Sequence, residues 1–144
     1  MKKRSVANSA SQKPLEELTF FLDRQLGRHK MAGILRAAGL KIEVHDDHFP
    51  QNATDPEWLT AVGGKNWIVV TRDERIRYRA AEQQAIRRAK VRAFVLVAHG
   101  DLRADTLAEI FLRALAKIRT IAVKQKPPFI VKIWRDGKVG LLEE

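Results

Sequence analysis

Short apolar runs alternate with segments of helical character along most of the chain. The apolar runs have the length of buried strands and lie at Leu18–Leu22, Trp67–Val70, Ala93–Ala98 and Phe129–Ile133. A weaker run, Lys41–His45, alternates polar and apolar residues in the manner of an edge strand. This order of elements predicts right-handed β-α-β crossovers, and therefore a mainly parallel sheet with helices on both faces.

Start and stop signals mark the first two helical segments. Leu26–Ala38 has helical periodicity and is followed by Gly39, a common helix stop. Pro56 directly after Asp55 predicts a helix that begins there with Asp55 as its N-cap.

The C-terminal part combines a long helical pattern with a hairpin signal. Thr106–Val123 keeps its apolar residues on one face and predicts one continuous helix, and Thr106 with Glu109 matches a capping box. Asp136-Gly137, between two extended runs, is typical of a tight hairpin turn. We therefore predict a three-layer α/β/α sandwich with a mainly parallel central sheet and a C-terminal antiparallel hairpin.

Length and composition favour one domain in a reducing compartment. The 144 residues fit a basic tail at residues 1–14 and a single domain at residues 15–144. The tail lacks the apolar segment of an export signal, and no apolar run is long enough for a transmembrane helix. The absence of cysteine excludes disulfides and thiolate metal sites. We expect a cytoplasmic protein without a membrane segment.

The charge indicates a polyanionic partner. The chain has 27 Lys and Arg against 17 Asp and Glu, which gives a formal net charge of +10. Such a surface attracts nucleic acid or an acidic protein, although it also serves solubility alone.

Three aspartates follow the predicted strands or precede them closely. Asp23 ends the first strand, Asp73 follows the strand at Trp67–Val70, and Asp55 begins the helix before that strand. Functional groups of an open α/β sheet gather at the carboxyl ends of its strands, so these side chains are expected in one cleft. Clustered carboxylates repel each other unless a cation lies among them, and a hard ion such as Mg²⁺ or Mn²⁺ prefers oxygen ligands. A metal site on a basic surface predicts phosphodiester hydrolysis.

The stretches "FFLDR", "TDPEWL" and "WIVVTRDERIR" resemble the PIN-like domain family, which includes the VapC-type toxin ribonucleases, over residues 18–98. The resemblance implies that Asp23, Asp55 and Asp73 are catalytic ligands of Mg²⁺ or Mn²⁺. It also implies an endoribonuclease with RNA as its substrate, as the toxin component of a toxin–antitoxin pair with an antitoxin protein as its partner. The family often has a glutamate between the first two acids; here Asp46, Asp47 or Glu57 substitutes for it, or the site has three acids.

A basic segment begins at the predicted site. Eight Lys and Arg lie within Arg72–Arg92, and part of this segment is a solvated helix face. The residues nearest the aspartates form the predicted nucleic-acid-binding rim: Arg24, Arg72, Arg75, Arg77 and Arg79.

Several alternatives remain open at the level of the sequence. Asp23 and Asp55 are also suitable helix caps, and Asp73 is a suitable loop residue. A nucleic-acid-binding module that has lost its catalytic activity is the main functional alternative; a signalling receiver domain and a zinc site at His45 and His48 fit the pattern less well. At the hairpin, Trp134 and Leu141-Leu142 are expected at a sheet edge. The long helix covers them, or another chain does, either a second copy in a homodimer or an inhibitory partner.

Overall fold

One central sheet carries the other elements of the protein. The computed structural model describes residues 18–26 and 28–143. In these ranges the strands are β1 (Thr19–Leu22), β2 (Lys41–Val44), β3 (Ile68–Thr71), β4 (Arg92–Val97), β5 (Phe129–Trp134) and β6 (Val139–Glu143). They form a single sheet in the order β2-β1-β3-β4-β5-β6.

The pairing of the strands confirms the predicted fold class. β1 pairs in parallel with both β2 and β3, and the parallel pairing continues through β4 to β5. Only β6, within the described residues, is antiparallel to its neighbour, and it closes the predicted hairpin. The parallel strands therefore bring their carboxyl ends to one edge of the sheet, which we call the carboxyl edge. The predicted tail at residues 1–14 lies outside the described residues.

Helices cover both faces of the sheet. In the described ranges they are α1 (Arg28–Ala37), α2 (Asp55–Gly64), α3 (Ala80–Ala89), α4 (Ala104–Arg113) and α5 (Leu115–Lys124), with short 3-10 turns at Arg24–Leu26, His45–Asp47 and Glu74–Arg77. Buried residues of α1, α4 and α5 belong to one hydrophobic cluster, and those of α2 and α3 belong to a second. None of these helices is long and apolar enough to cross a membrane.

The strands show why a parallel sheet requires continuous apolar runs. Successive side chains of a strand point to opposite faces, so Phe20 and Leu22 of β1 enter the first cluster while Phe21 enters the second. β3 does the same with Ile68 and Val69. Both faces are covered by helices, and therefore no position in these strands is left to a solvated side chain.

The prediction of one continuous helix at Thr106–Val123 is wrong. The segment is divided into α4 and α5 at Ala114, whose φ of −95° and ψ of 1° depart from helical values. Ala114 is itself fully buried, as are Ile110 and Ile118 on either side. Because the apolar face continues through the bend, the periodicity carries no sign of it. α4 also begins at Ala104, so Thr106 is not its N-cap.

The N-terminal caps of the first two helices also differ from the prediction. Leu26 lies in a 3-10 turn, and α1 begins only at Arg28. Thr54, and not Asp55, is the N-cap of α2: its hydroxyl accepts from the Glu57 N–H, and the Glu57 carboxylate accepts from the Thr54 N–H at 2.8 Å. Asp55 is therefore the first helical residue, and its carboxylate remains available for other contacts.

Candidate active site

Asp23 lies where β1 ends at the carboxyl edge, beside β3. Its backbone N–H still pairs with the Val70 carbonyl at 3.0 Å, so the residue continues the β1–β3 ladder by one position. One carboxylate oxygen, Oδ2, accepts a hydrogen bond from the Thr71 hydroxyl at 2.6 Å. Thr71 is fully buried, and this contact fixes the direction of the Asp23 side chain.

Thr71 also positions Asp73, which gives the T-x-D pattern a physical meaning. The Thr71 hydroxyl oxygen accepts from the Asp73 N–H at 3.0 Å while it donates to Asp23. A hydroxyl can do both at once, so a single side chain links the ends of β1 and β3. Asp73 then caps the following 3-10 turn, since its Oδ1 accepts from the Arg75 N–H at 3.1 Å.

Asp55 reaches the same region from the start of α2. Its Oδ1 accepts from the indole N–H of Trp58 at 2.9 Å. Its Oδ2 lies 3.5 Å from a guanidinium nitrogen of Arg79. The buried Trp58 ring of the same helix thus orients the Asp55 carboxylate through this hydrogen bond.

Glu82 is a fourth carboxylate in this region, and it is absent from the predicted set. It lies in the first turn of α3, its side chain is only 9% exposed, and its Oε2 is 3.5 Å from Arg79 Nη1. Burial raises the pKa of Glu82, and a hydrogen bond with the Asp55 side chain raises it further. In the sequence, Glu82 lies within the basic segment Arg72–Arg92, part of which was interpreted as a solvated helix face. Its place in the first turn of a helix, three residues after Arg79, is the signal that could have identified it.

Arg79 joins three of these acids. Its Nη1 atom lies 2.8 Å from Asp73 Oδ2, and Asp55 Oδ2 and Glu82 Oε2 are each 3.5 Å away. Burial alone would lower the pKa of Arg79, but the attraction of Asp73 and of the other two carboxylates raises it above its ordinary value. The residue was predicted on a phosphate-binding rim, whereas in this structure its guanidinium lies among the acids and acts as their counter-ion.

Asp23 adds a further negative group close to this cluster. Burial raises the pKa of Asp23, and the charge of Asp55 contributes in the same direction, while the hydrogen bonds from Thr71 and from the Arg24 N–H oppose the rise. Asp55 is thus close enough to Asp23 for its charge to act on the Asp23 carboxyl group. We call Asp23, Asp55, Asp73 and Glu82 the acidic site.

The acidic site fits a hard divalent cation by chemistry but not by its present arrangement. All its donors are carboxylate oxygens, which Mg²⁺ and Mn²⁺ prefer. Across residues 18–26 and 28–143, however, no three acidic, His or Cys side chains are grouped so that they could hold an ion as they stand. The space where Asp55, Asp73 and Glu82 converge is taken by the Arg79 guanidinium. Binding of a metal there would require Arg79 to move.

The other predicted acids lie apart from this group or make different contacts. Asp46 and Asp47 lie in the 3-10 turn after β2, where Asp46 Oδ1 is 3.5 Å from His45 Nδ1. Glu57 closes the capping box of α2. His48, which was considered with His45 as a zinc ligand, contacts Glu43 at 2.7 Å.

The predicted basic rim divides into structural and exposed residues. Arg24 donates to the Gln51 carbonyl, and Arg72 donates to the carbonyls of Ala98 and Gly100, so both hold loops together. Arg75 is 74% exposed and lies 3.7 Å from Asp73 Oδ1. The side chain of Arg77 lies outside the described part of the structure.

Comparison with known proteins agrees with this geometry. A family model described as "PIN like domain" matches residues 18–98. The chain is 28% identical over 126 residues to the Mycobacterium tuberculosis (strain ATCC 25618 / H37Rv) protein named "Putative ribonuclease VapC45", and the alignment covers 85% of this chain and 90% of the relative. No solved structure gives a significant match. Because the family model spans more than half of the chain and includes all four acids of the site, we conclude that the chain belongs to the PIN-like domain family.

Proposed function

We propose that the protein is a metal-dependent endoribonuclease and the toxin component of a toxin–antitoxin pair. The observation that carries the proposal is the convergence of Asp55, Asp73 and Glu82 on the Arg79 guanidinium, beside the partly buried Asp23, at the carboxyl edge of the sheet. The name of the mycobacterial relative supports a ribonuclease. The net charge of +10 supports RNA as the substrate, with an acidic or RNA-mimicking surface on the antitoxin, in the cytoplasm. A homodimer is a further part of this proposal.

The protein's own residues would prepare the site for this chemistry. Asp23, Asp55 and Asp73 would hold Mg²⁺ or Mn²⁺, with Glu82 as a further oxygen donor. A bound ion would supply an activated water and shield the negative charge that develops on the phosphate. Thr71 keeps Asp23 and Asp73 in register, because its hydroxyl contacts both. Exposed cations near the cleft, such as Arg75, would attract the RNA backbone.

Cleavage of RNA tests this proposal directly. The purified chain should cleave single-stranded or structured RNA with Mg²⁺ or Mn²⁺, and excess EDTA should stop the reaction. Asp23→Asn should lower the rate by at least about 100-fold, as loss of a catalytic group does. Glu109→Gln, which removes an exposed carboxylate from the middle of α4, is the matched control and should cleave normally. Undiminished cleavage in EDTA would overturn the proposal.

The position of Arg79 favours a second candidate, an RNA-binding module without catalytic activity. In such a module Arg79 would be a permanent counter-ion, and no divalent ion would enter among the acids. Thermal unfolding with Mn²⁺ separates the two functions. A rise in Tm that disappears in Asp23→Asn supports the enzyme, and an unchanged Tm together with tight RNA binding supports the module.

A further inference from the structure

A groove at the hairpin end of the carboxyl edge has no part in the acidic site. It has a volume of about 870 Å³ and is lined by the end of β4, the end of β5 and the turn between β5 and β6. Its characteristic side chains are one indole ring, one imidazole and three cations: Trp134, His99, Lys132, Arg135 and Lys138.

Trp134 is an exposed aromatic ring in a fixed position. It ends β5 and is 39% exposed, which is unusual for a side chain of this size in a chain whose other large apolar residues are mostly buried. The benzo edge of the indole lies against Gly140 of β6: a Cβ added to that glycine would be 2.9 Å from two ring carbons. The ammonium group of Lys132 lies 5.9 Å from the ring centroid. The ring is therefore held by its neighbours while part of it faces the groove.

A second, smaller hollow lies between this groove and residues that flank the acidic site in the sequence. It has a volume of about 290 Å³ and shares Glu74, Ala98 and His99 with the groove. At its other end lie Gln25, two residues after Asp23, and Arg72, next to Asp73. β5 is separated from β3 only by β4, so about 10 Å of sheet lies between the strand that leads to Asp73 and the strand that ends in Trp134. A short single strand of nucleic acid can span this distance.

The chemistry of the groove selects one kind of occupant. Single-stranded nucleic acids are bound where an aromatic ring stacks on a base and cations follow the backbone. Lys132, Arg135 and Lys138 supply the cations, and only Glu74 and Asp136 oppose them among the lining residues. The core of a protein–protein interface is instead depleted of Lys, Glu and Asp, whereas this groove is lined by two lysines and two acids.

We propose that this groove is a binding subsite for single-stranded RNA, in which Trp134 stacks on one base and Lys132 and Lys138 bind the adjoining phosphates. If the bound RNA continued along the smaller hollow, one of its neighbouring phosphates would reach the acidic site. The inference rests on the proposed ribonuclease function for its substrate, but the binding step does not require catalysis.

Binding of a short labelled RNA to the full chain in EDTA tests the subsite without cleavage. Trp134→Ala should weaken binding of single-stranded RNA by about 5- to 150-fold, the range for loss of one stacked base. Trp134→Phe keeps an aromatic ring and should bind within about threefold of the wild-type chain. Lys132→Gln with Lys138→Gln should make the dependence of affinity on salt shallower, whereas Lys117→Gln, an exposed residue of α5, should not. The Tm of each variant shows whether its fold is intact.

Tryptophan emission provides a second readout. RNA should quench the emission of the wild-type chain, and the quenching should be lost in Trp134→Phe, because Trp58 is buried and Trp67 is only partly accessible. Equal RNA affinity of Trp134→Ala and the wild-type chain would overturn the proposal. So would loss of self-association or of a protein partner in Trp134→Ala without any change in RNA binding.

The two proposals fail in different ways. RNA binding that depends on Trp134, without cleavage in Mn²⁺, would support the proposed subsite and contradict the proposed nuclease activity. Cleavage of RNA by Trp134→Ala with an unchanged KM and Kd would support the proposed nuclease activity and contradict the proposed subsite.

Discussion

At the scale of single residues, Arg79 decides the state of the acidic site. One of its nitrogens lies within 3.5 Å of three carboxylates, and the single positive charge of the guanidinium offsets part of their mutual repulsion. The same contact places a positive charge where a metal ion would bind. Arg79 and a divalent cation are therefore expected to compete for these oxygens.

Arg79→Gln should lower stability without metal and strengthen the response to metal. Loss of the charged hydrogen bonds, which are partly exposed, should reduce the free energy of unfolding by about 1–2 kcal/mol in EDTA. The freed carboxylates should then bind Mn²⁺ more tightly, so Mn²⁺ should raise the Tm of Arg79→Gln more than that of the wild-type chain. Arg75→Gln, at an exposed neighbouring position, is the control. A smaller Mn²⁺ response in Arg79→Gln would show that Arg79 supports the metal site instead of competing for it.

Asp23 is expected to make stability depend on pH. Its pKa in the fold is raised above the ordinary value of 3.8, so the folded chain keeps a proton that the unfolded chain has already lost. Above the raised pKa, the ionised carboxylate therefore destabilises the fold relative to the neutral form.

Asp23→Asn should thus raise the Tm in EDTA at about pH 8, and the gain should shrink toward about pH 4, where the carboxyl group takes up a proton in both states. Asn keeps an oxygen that can accept from Thr71, so the local hydrogen bond survives. Thermal unfolding across this pH range is the measurement. A lower Tm for Asp23→Asn at every pH would contradict this expectation. It would mean that the hydrogen bond from Thr71 to the ionised Asp23 carboxylate stabilises the fold by more than the burial of that carboxylate destabilises it.

At the scale of elements, the packing of α2 against α3 brings acids from two helices together. α2 carries Asp55 and α3 carries Glu82, and the helices are in close contact at Gly63. A Cβ at Gly63 would lie 2.6 Å from the Ala89 Cβ and 2.7 Å from the Ala89 carbonyl oxygen. Only glycine allows this distance.

Gly63→Ala should therefore force the helices apart and destabilise the protein by about 1–3 kcal/mol, the usual cost of overpacking. Gly64→Ala is the matched control, because a Cβ at Gly64 meets nothing within 4 Å; it should leave stability unchanged or raise it by about 0.5–1 kcal/mol. Urea unfolding of both variants checks this. Equal stabilities would show that α3 shifts at no cost.

At the scale of the whole molecule, the positive charge should govern the encounter with RNA. A net charge of +10 on 144 residues makes affinity depend steeply on salt, because each phosphate contact releases counter-ions. Cations close to the acidic site are expected to contribute more to this dependence than equally exposed cations elsewhere.

Arg75 and Arg103 offer a matched comparison. Their side chains are 74% and 75% exposed, but Arg75 contacts Asp73 of the acidic site whereas Arg103 contacts Asp105 in the first turn of α4. Arg75→Gln should reduce the slope of log affinity against log salt by about 0.7, the value for one phosphate contact of a single strand, and Arg103→Gln should not. Titrations at several salt concentrations measure the slopes. The same slope in both variants would place the RNA away from Arg75.

The sequence by itself determined the layers of the fold and the positions of three acids. Strands buried on both faces must be apolar at every position, and helices must alternate with them to make parallel pairing possible. Both requirements produce patterns of apolar residues within short segments, and such patterns are visible in the sequence. Asp23 and Asp73 could be predicted as neighbours because parallel strands all end at one edge, and Asp55 because its helix begins beside that edge.

Only the tertiary structure decided which side chains meet across that edge. Glu82 joins the acids and Arg79 turns toward them because α3 packs on α2, a contact between residues far apart in sequence that no periodicity encodes. The bend at Ala114 is likewise invisible in a continuous apolar face. Trp134 remains accessible because Gly140 of the neighbouring strand leaves room for its ring beside the groove. Local preferences thus determine the elements, and long-range packing determines the chemistry between them.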